Sequence, residues 1–220
     1  MERPRLILVD DHNLMLEGLR AALQDTYEIV ALVGNGAEGV RAVRKHHPDL
    51  VLLDLSLPDQ SGLEVIQELR GVAPKVKILV VTMHRDRVLA DAAIQSGAQG
   101  FVPKDADVPE LQHAVSQVLG GKTYISPLVP QRLSYRSTDQ IQFALSQLTP
   151  TQQRIIRLIG EGRSSASIGR RLHLTKATIT FHRVRIRQAL GLKSEWALLR
   201  HAILIRLSEA ESRARSARSP

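Results

Sequence analysis

The sequence predicts two joined domains, a doubly wound α/β domain followed by an all-α domain. Residues 1–125 alternate short apolar runs with helix-like patterns, whereas the rest of the chain shows helical patterns only. The charge divides at the same place. The first 125 residues carry 13 Lys and Arg against 17 Asp and Glu, and the remaining residues carry 17 against 5. An acidic α/β half and a basic helical half indicate two domains with different partners.

Strands and helices alternate through the first half. The predicted strands are short, mainly apolar runs at residues 5–9, 28–33, 50–54, 76–81 and 99–102. The segments after them space apolar residues three or four apart, and the predicted helices span residues 13–25, 37–46, 62–71, 86–96 and 108–120. Five such units predict a five-stranded parallel sheet with helices on both faces, within a domain at residues 1–122.

The second half opens with a predicted linker. Residues 123–146 are rich in Ser, Pro and Gln and show little periodicity, and we expect one short helix near their end. The last residues, 209–220, have no apolar side chains to bury and are predicted to form a disordered basic tail.

Four helices are predicted between the linker and the tail, in a domain at residues 147–208. Thr149, Pro150 and Gln152 form a capping box with proline at the first helical position, which opens the first helix. The other three are predicted at residues 165–172, 177–190 and 194–207. The tight turn between the second and third helices is typical of a helix-turn-helix, which binds the DNA major groove.

The composition excludes several classes of protein. There is no cysteine, so disulfides, thiolate metal sites and thiol catalysis are ruled out. No apolar run is long enough to span a bilayer, and the chain enters its first strand without an apolar signal region. We therefore expect a cytoplasmic protein with no membrane partner.

Five polar residues lie at the downstream ends of predicted strands. They are Asp10, Asp11, Asp54, Thr82 and Lys104. The carboxyl ends of parallel strands meet at one edge of the sheet, where ligands bind in open α/β folds. Three carboxylates in one small space repel one another and need a cation, while a hydroxyl and an ammonium beside them suit an anion. The pattern predicts a Mg²⁺-assisted phosphoryl acceptor with Asp54 as the nucleophile.

Four motifs carry a resemblance to a known family. They are VDDH at 9–12, LVLLDLSLPDQSGLEVIQELR at 50–70, VTMH at 81–84 and GFVPKD at 100–105. These resemble a two-component receiver domain, whose fold is flavodoxin-like. Residues 5–207 as a whole resemble a NarL/FixJ-type response regulator with a LuxR-type helix-turn-helix. The resemblance implies a transcription factor that takes a phosphoryl group from a sensor histidine kinase and binds double-stranded promoter DNA as a homodimer.

The resemblance also implies roles for individual residues. Asp10, Asp11, Asp54 and the backbone carbonyl of Ser56 would hold Mg²⁺, which prefers hard oxygen ligands. Asp54 would accept the phosphoryl group.

The same resemblance implies a switch. Lys104 and Thr82 would hold the phosphoryl oxygens, and Thr82 would move toward the phosphoryl group while Phe101 turns inward.

A dinucleotide-binding turn is one alternative. Gly34, Gly36 and Gly39 form a G-x-G-x-x-G pattern that follows a strand and opens a helix. It follows the second strand rather than the first, however, which argues against a dinucleotide site.

A phosphatase that forms an aspartyl-phosphate is another alternative. Such enzymes need a second acid two residues after the nucleophile, and Ser56 occupies that position. We therefore expect a switch and not an enzyme.

The predicted third helix of the basic domain is the candidate DNA-reading element. A helical projection places Ile179, His182, Ile186, Ala189 and Leu190 on the inward side. The LuxR-type resemblance implies base contacts at Thr180, Phe181 and Val184, although a lysine is usual at the first of these positions. The predicted phosphate partners include Lys176, Arg183, Arg185 and Arg187.

Two interpretations of this unusual helix stay open. Apolar side chains at 181 and 184 suit contact with thymine methyl groups. In the other interpretation the helix-turn-helix is degenerate, and the chain is a phosphorylation-gated protein-interaction module that reads no DNA sequence.

Overall fold

The computed structural model describes residues 3–131 and 143–216. These residues form two compact units, the first within 3–131 and the second within 143–216. The central part of the predicted linker, residues 132–142, and the end of the predicted tail, residues 217–220, lie outside the described residues.

The first unit contains a fully parallel sheet. Its strands are β1 (Arg5–Val9), β2 (Glu28–Val33), β3 (Leu50–Leu53), β4 (Lys77–Thr82), β5 (Gly100–Pro103) and β6 (Tyr124–Ile125). Their order across the sheet is β2-β1-β3-β4-β5-β6, and every neighbouring pair is parallel. The doubly wound α/β prediction is confirmed. The chain adds β2 on one side of β1 and then β3 to β6 on the other side, so the strand order reverses next to β1.

The sixth strand was not predicted. β6 lies in the segment assigned to the linker, and it pairs with β5 at the edge of the sheet. The backbone N–H of Tyr124 donates to the carbonyl of Gln99 at 2.9 Å, and that of Ser126 donates to the carbonyl of Phe101 at 2.9 Å. A two-residue strand held by backbone hydrogen bonds leaves no alternating pattern in the sequence.

Five helices flank the sheet close to their predicted positions. They are α1 (Asn13–Leu23), α2 (Gly36–His46), α3 (Gly62–Val72), α4 (Arg87–Ser96) and α5 (Val108–Leu119). Side-chain oxygens cap three of them: Asn35 accepts from the N–H of Glu38, and Asp86 and Asp107 cap α4 and α5 in the same way. Caps of this kind stabilise a helix by about 1 kcal/mol each.

The central strands are buried on both faces because helices cover both. Leu6, Leu8, Leu50 and Leu52 pack on one face, within a cluster that includes residues of α1 and α5. Each such aliphatic side chain contributes about 1.5–3 kcal/mol relative to an exposed position. The strand ends are therefore fixed by a rigid core, and side chains that follow them have defined positions.

The glycine-rich entry to α2 is explained by packing. Asp59 accepts hydrogen bonds from the N–H groups of Gly36 and Ala37, both at 2.9 Å. A Cβ at position 36 would lie 2.6 Å from a methyl group of Val65. The chain's own carboxylate thus occupies the helix N-terminus that a pyrophosphate would need.

The second unit is helical. After a helical turn at residues 143–146 come α6 (Pro150–Gly160), α7 (Ser165–Leu172), α8 (Lys176–Ala189) and α9 (Glu195–Ser216). The predicted capping box is present, since Thr149 and Gln152 bond each other's backbone. Within the described ranges, none of the helices has both the length and the apolar content of a membrane span.

The last helix is longer than predicted. α9 was expected to end near residue 207 but continues to Ser216, through part of the segment predicted as a disordered tail. Arg157 of α6 donates to Glu209 at 2.8 Å, which anchors α9 beyond its predicted end. Polar residues with good helix propensity extend a helix already held by its apolar part.

Candidate functional site

Four strand ends converge on one site at the carboxyl edge of the sheet. Asp10 follows β1, Asp54 follows β3, Thr82 ends β4 and Lys104 follows β5. Backbone bonding continues past the strands: the N–H of Asp54 donates to the carbonyl of Val9 at 2.8 Å, and that of Lys104 to Thr82 at 2.7 Å. The functional side chains are thus placed side by side by the sheet itself.

Lys104 bridges two buried carboxylates. Its Nζ lies 2.6 Å from Oδ2 of Asp10 and 2.8 Å from Oδ2 of Asp54. All three side chains are almost fully buried, with 3% or less of their surface exposed. Burial alone would lower the pKa of Lys104, but hydrogen bonds and charge from the two carboxylates outweigh it and raise that pKa. Lys104 is therefore an ammonium that offsets part of the negative charge of the pocket.

Asp11 and His12 complete the acidic cluster. Ligand atoms of Asp10, Asp11, His12 and Asp54 all lie within 4.8 Å of one another. His12 Nδ1 is 2.7 Å from Oδ1 of Asp11 and 3.1 Å from Oδ1 of Asp10. The His12 ring is exposed, but it contacts two of the predicted metal ligands.

Two buried oxygens of the site lack hydrogen-bond partners among the described residues. They are Oδ1 of Asp54 and Oγ1 of Thr82. Leaving a buried polar atom unpaired usually costs about 1–3 kcal/mol, so such atoms mark functional positions. A carboxylate oxygen suits a cation or a phosphorus atom, and a hydroxyl suits a phosphoryl oxygen. The residues present therefore fit both Mg²⁺ and a phosphoryl group.

Ser56 and Phe101 are the two remaining residues to which the family resemblance assigns roles. Ser56 is half-buried and pairs with Ser61 in an isolated antiparallel bridge, which closes the loop after Asp54. Phe101 is fully buried and pairs with Val80, two residues before Thr82 on the same face of the sheet. The roles implied for Ser56 as a Mg²⁺ ligand and for Phe101 as a switch residue stay predictions.

Two loops at this edge carry further ionisable side chains, to which the sequence analysis assigned no role. His84 follows Thr82; burial lowers its pKa, and the charges of Asp54 and Asp86 oppose that shift. Arg85 forms an ion pair with Asp105, which joins the loop after β4 to the loop after β5. No sequence pattern pointed to this pair, because its members lie 20 residues apart in exposed loops.

Comparison with known families identifies both units. Residues 6–116 match the response regulator receiver domain, and residues 146–202 match the bacterial regulatory proteins of the luxR family. The chain belongs to the LuxR-family response regulators. The predicted family is confirmed, and the chain is a response regulator transcription factor.

Three known proteins are similar to this chain over most of their own length. The transcriptional regulatory protein MctR of Rhizobium johnstonii is 32% identical over 206 residues, which cover 92% of this chain and 95% of that protein. The response regulator GacA of Pseudomonas aeruginosa is 31% identical, with 91% and 97% covered. A solved structure of a LuxR-family two-component response regulator from an Aurantimonas species is 34% identical with a TM-score of 0.58, covering 60% of this chain and 96% of that one.

In the LuxR-type domain, α8 presents an apolar outer face. Phe181 and Val184 are 57% and 38% exposed, and Thr180 is exposed beside them, as predicted. The guanidinium of Arg185 lies 5.4 Å from the centre of the Phe181 ring, a cation–π contact. Lys176 begins the helix and is also exposed.

The inner side of α8 follows the prediction only in part. Ile179 and Ile186 are fully buried, whereas Ala189, expected to point inward, is exposed. Ala189 is the last residue of α8, where the helix ends in a turn at Gly191 with φ of 63°. A residue at a helix end lies beyond the surface that the neighbouring helices cover.

Two predicted phosphate partners are engaged elsewhere. Arg183 and Arg187 both contact Glu195, the first residue of α9. We expected both guanidinium groups to reach water or DNA phosphate. The sequence pattern does not indicate Glu195 as their partner, because it lies twelve positions after Arg183 in a different predicted helix.

Proposed function

We propose that Asp54 is the phosphoacceptor of this response regulator and that its phosphorylation, by a sensor histidine kinase, controls DNA binding. The position of Lys104 carries the proposal. Its ammonium bridges Asp10 and Asp54, while Oδ1 of Asp54 is buried and has no hydrogen-bond partner within residues 3–131 and 143–216. A nucleophilic oxygen without competing hydrogen bonds, beside a fixed positive charge, suits attack on a phosphoryl group.

The transfer needs little covalent chemistry from the protein. A phosphorus–nitrogen bond of the kinase phosphohistidine breaks, a phosphorus–oxygen bond to Asp54 forms, and the histidine keeps the electron pair. Lys104 then contacts a phosphoryl oxygen instead of Oδ2 of Asp54, and the Thr82 hydroxyl gains an acceptor. When bound by Asp10, Asp11 and Asp54, Mg²⁺ would neutralise charge on the transferring group.

We expect the protein to act as a switch and not as an enzyme that hydrolyses phosphoesters. Ser56 lies where an aspartyl-phosphate phosphatase would need its general acid, and a serine hydroxyl does not protonate a leaving group at neutral pH. We further propose that the regulator acts in the cytoplasm and binds promoter DNA as a homodimer.

Acetyl phosphate labelling tests the phosphoacceptor. The full-length protein is incubated with acetyl phosphate and Mg²⁺, and phosphoryl incorporation is measured by intact mass. Asp54→Asn should abolish incorporation, whereas Asp105→Asn should not, because that carboxylate lies at the same edge but pairs with Arg85. Labelling of Asp54→Asn at the wild-type level would reject the assignment.

For DNA, we propose that α8 enters the major groove and reads thymine methyl groups through Phe181 and Val184. Their exposure beside Arg185 supports this, since apolar contact with thymine and a guanidinium near phosphate or guanine are both usual. Selection from random duplexes should yield a motif with thymines in each half-site. Val184→Ala should weaken the selected site by about 1 kcal/mol per half-site while leaving random-sequence binding unchanged. Equal loss on both kinds of DNA would contradict readout by this residue.

A further inference from the structure

Glu195 joins two arginines of the DNA-reading helix to the following helix. Nε and Nη2 of Arg183 both contact Oε1 of Glu195, and Nε of Arg187 lies 3.5 Å from Oε2. Arg183 and Arg187 are one helical turn apart, so both lie on the flank of α8 that faces the start of α9. One carboxylate thus uses its two oxygens on two different guanidinium groups.

Glu195 lies where a helix N-terminus and two guanidinium groups meet. It follows the cap residue Ser194, whose Oγ accepts from the N–H of Ala197, and it is the first residue of α9. A helix N-terminus attracts negative charge, and hydrogen bonds to charged groups are about twice as strong as neutral ones. The carboxylate is therefore held between the helix N-terminus and two positive charges.

The two arginines are less accessible than their neighbour on α8. Their side chains are 15% and 29% exposed, and Nε of Arg187 is buried without a hydrogen bond among the described residues. Arg185, in contrast, is exposed on the outer face against Phe181. The sequence alone would count all three as equal phosphate partners.

We propose that Glu195 is a specificity-determining residue: it withholds Arg183 and Arg187 from DNA phosphates. Phosphate contacts supply affinity for any sequence, whereas contacts on the outer face distinguish sequences. Withholding two charges lowers non-specific affinity and leaves discrimination to Thr180, Phe181 and Val184. This inference rests on the proposed DNA-binding function.

The salt dependence of binding gives the expected size of the effect. Each phosphate neutralised by a protein cation changes the slope of log affinity against log salt by about 0.9. Release of both arginines would steepen the slope by about 1.8, and release of one by about 0.9. A difference of this size is readily measured over a fourfold range of salt.

Glu195→Gln tests the proposal against a matched control. Binding of the full-length protein to a random-sequence duplex is measured by fluorescence anisotropy between about 50 and about 200 mM salt. Glu209→Gln is the control, because it removes the same charge from the same helix and breaks an ion pair with Arg157, which belongs to α6. We expect the slope to steepen by about 1–2 for Glu195→Gln and to stay unchanged for Glu209→Gln.

Arg187→Gln supplies a second measurement, which does not depend on how well Glu195→Gln folds. In the wild-type background it should leave the slope unchanged, because Arg187 is already withheld. In the Glu195→Gln background it should reduce the slope by about 0.9. A reduced slope in the wild-type background, or equal slopes for the two glutamate variants, would overturn the inference. Failure of the wild-type protein to bind any duplex would instead count against the proposed function.

Discussion

Replacing Lys104 by methionine is expected to destabilise the receiver domain and to make its stability depend on Mg²⁺. The substitution keeps the length of the side chain and removes the only charge that the structure shows between the buried Asp10 and Asp54 carboxylates among the described residues. Two hydrogen bonds to charged groups are lost, each of which contributes about 1.5–3 kcal/mol. Relief of the desolvation of the ammonium offsets part of that loss.

The expected cost is about 3 kcal/mol, at the lower end of the values for a broken buried ion pair. For a domain of this size such a change lowers Tm by about 10 °C. A divalent cation can take the place of the ammonium, since Oδ2 of both carboxylates is then unpaired. Saturating Mg²⁺ should therefore stabilise Lys104→Met more than wild type, by at least about 1 kcal/mol.

Differential scanning calorimetry with and without Mg²⁺ measures both effects. Lys77→Met is the matched control, because its ammonium contacts the backbone carbonyl of Leu119 and no carboxylate of the site. The control should show the same Mg²⁺ response as wild type. If Lys104→Met also responded to Mg²⁺ like wild type, Lys104 and the cation would not share the Asp10 and Asp54 oxygens, and the description of the pocket would be wrong.

Two further predictions concern stability. Asp59→Ala should lower the free energy of unfolding by about 1–2 kcal/mol in urea titrations, because the N–H groups of Gly36 and Ala37 lose their acceptor; an unchanged midpoint would contradict the capping role. Burial lowers the pKa of His84 from its ordinary value of 6.5, although the charges of Asp54 and Asp86 oppose that shift. The unfolded chain therefore binds a proton at His84 more readily than the folded protein does. Folding stability is lost as the pH falls below that ordinary value. His84→Gln should reduce the stability lost between about pH 7 and about pH 5.5, measured by urea titration at each pH, and an unaltered pH profile would refute the assignment.

The elements of the receiver domain could be predicted because their signals are local. Apolar runs and helical spacing gave each of the first five strands and helices to within two residues at either end. The parallel strand arrangement then predicts that Asp10, Asp54, Thr82 and Lys104 lie close together, although the sequence contains no distances. The parallel arrangement of strands is what converts four separate sequence positions into one site.

The features that were missed depend on contacts between distant segments. β6 is defined by backbone pairing with β5, and the ion pair between Glu209 and Arg157 holds α9 beyond its predicted end. Asp59 occupies the α2 N-terminus, where the glycine pattern of the sequence resembled a nucleotide-binding turn. None of these leaves a periodic pattern, because one tertiary contact decides each of them.

The DNA-reading helix shows the same limit. The projection of α8 correctly separated Ile179 and Ile186 from Phe181 and Val184, since periodicity determines which face is buried. It could not show that Arg183 and Arg187 are paired with Glu195, which belongs to another helix. Charge counts from the sequence therefore do not show which arginines are already paired with a carboxylate.

The central claim is that the state of Asp54 controls DNA binding by the LuxR-type domain. Its most direct test is the affinity of the full-length protein for a duplex obtained by selection, with and without beryllofluoride and Mg²⁺, which mimic the phosphoryl group. We expect beryllofluoride to raise the affinity of the wild-type protein at least about tenfold, a coupling of about 1.4 kcal/mol, and to leave Asp54→Asn unchanged. Equal affinities of the wild-type protein in both conditions, or an equal response of Asp54→Asn, would contradict the account.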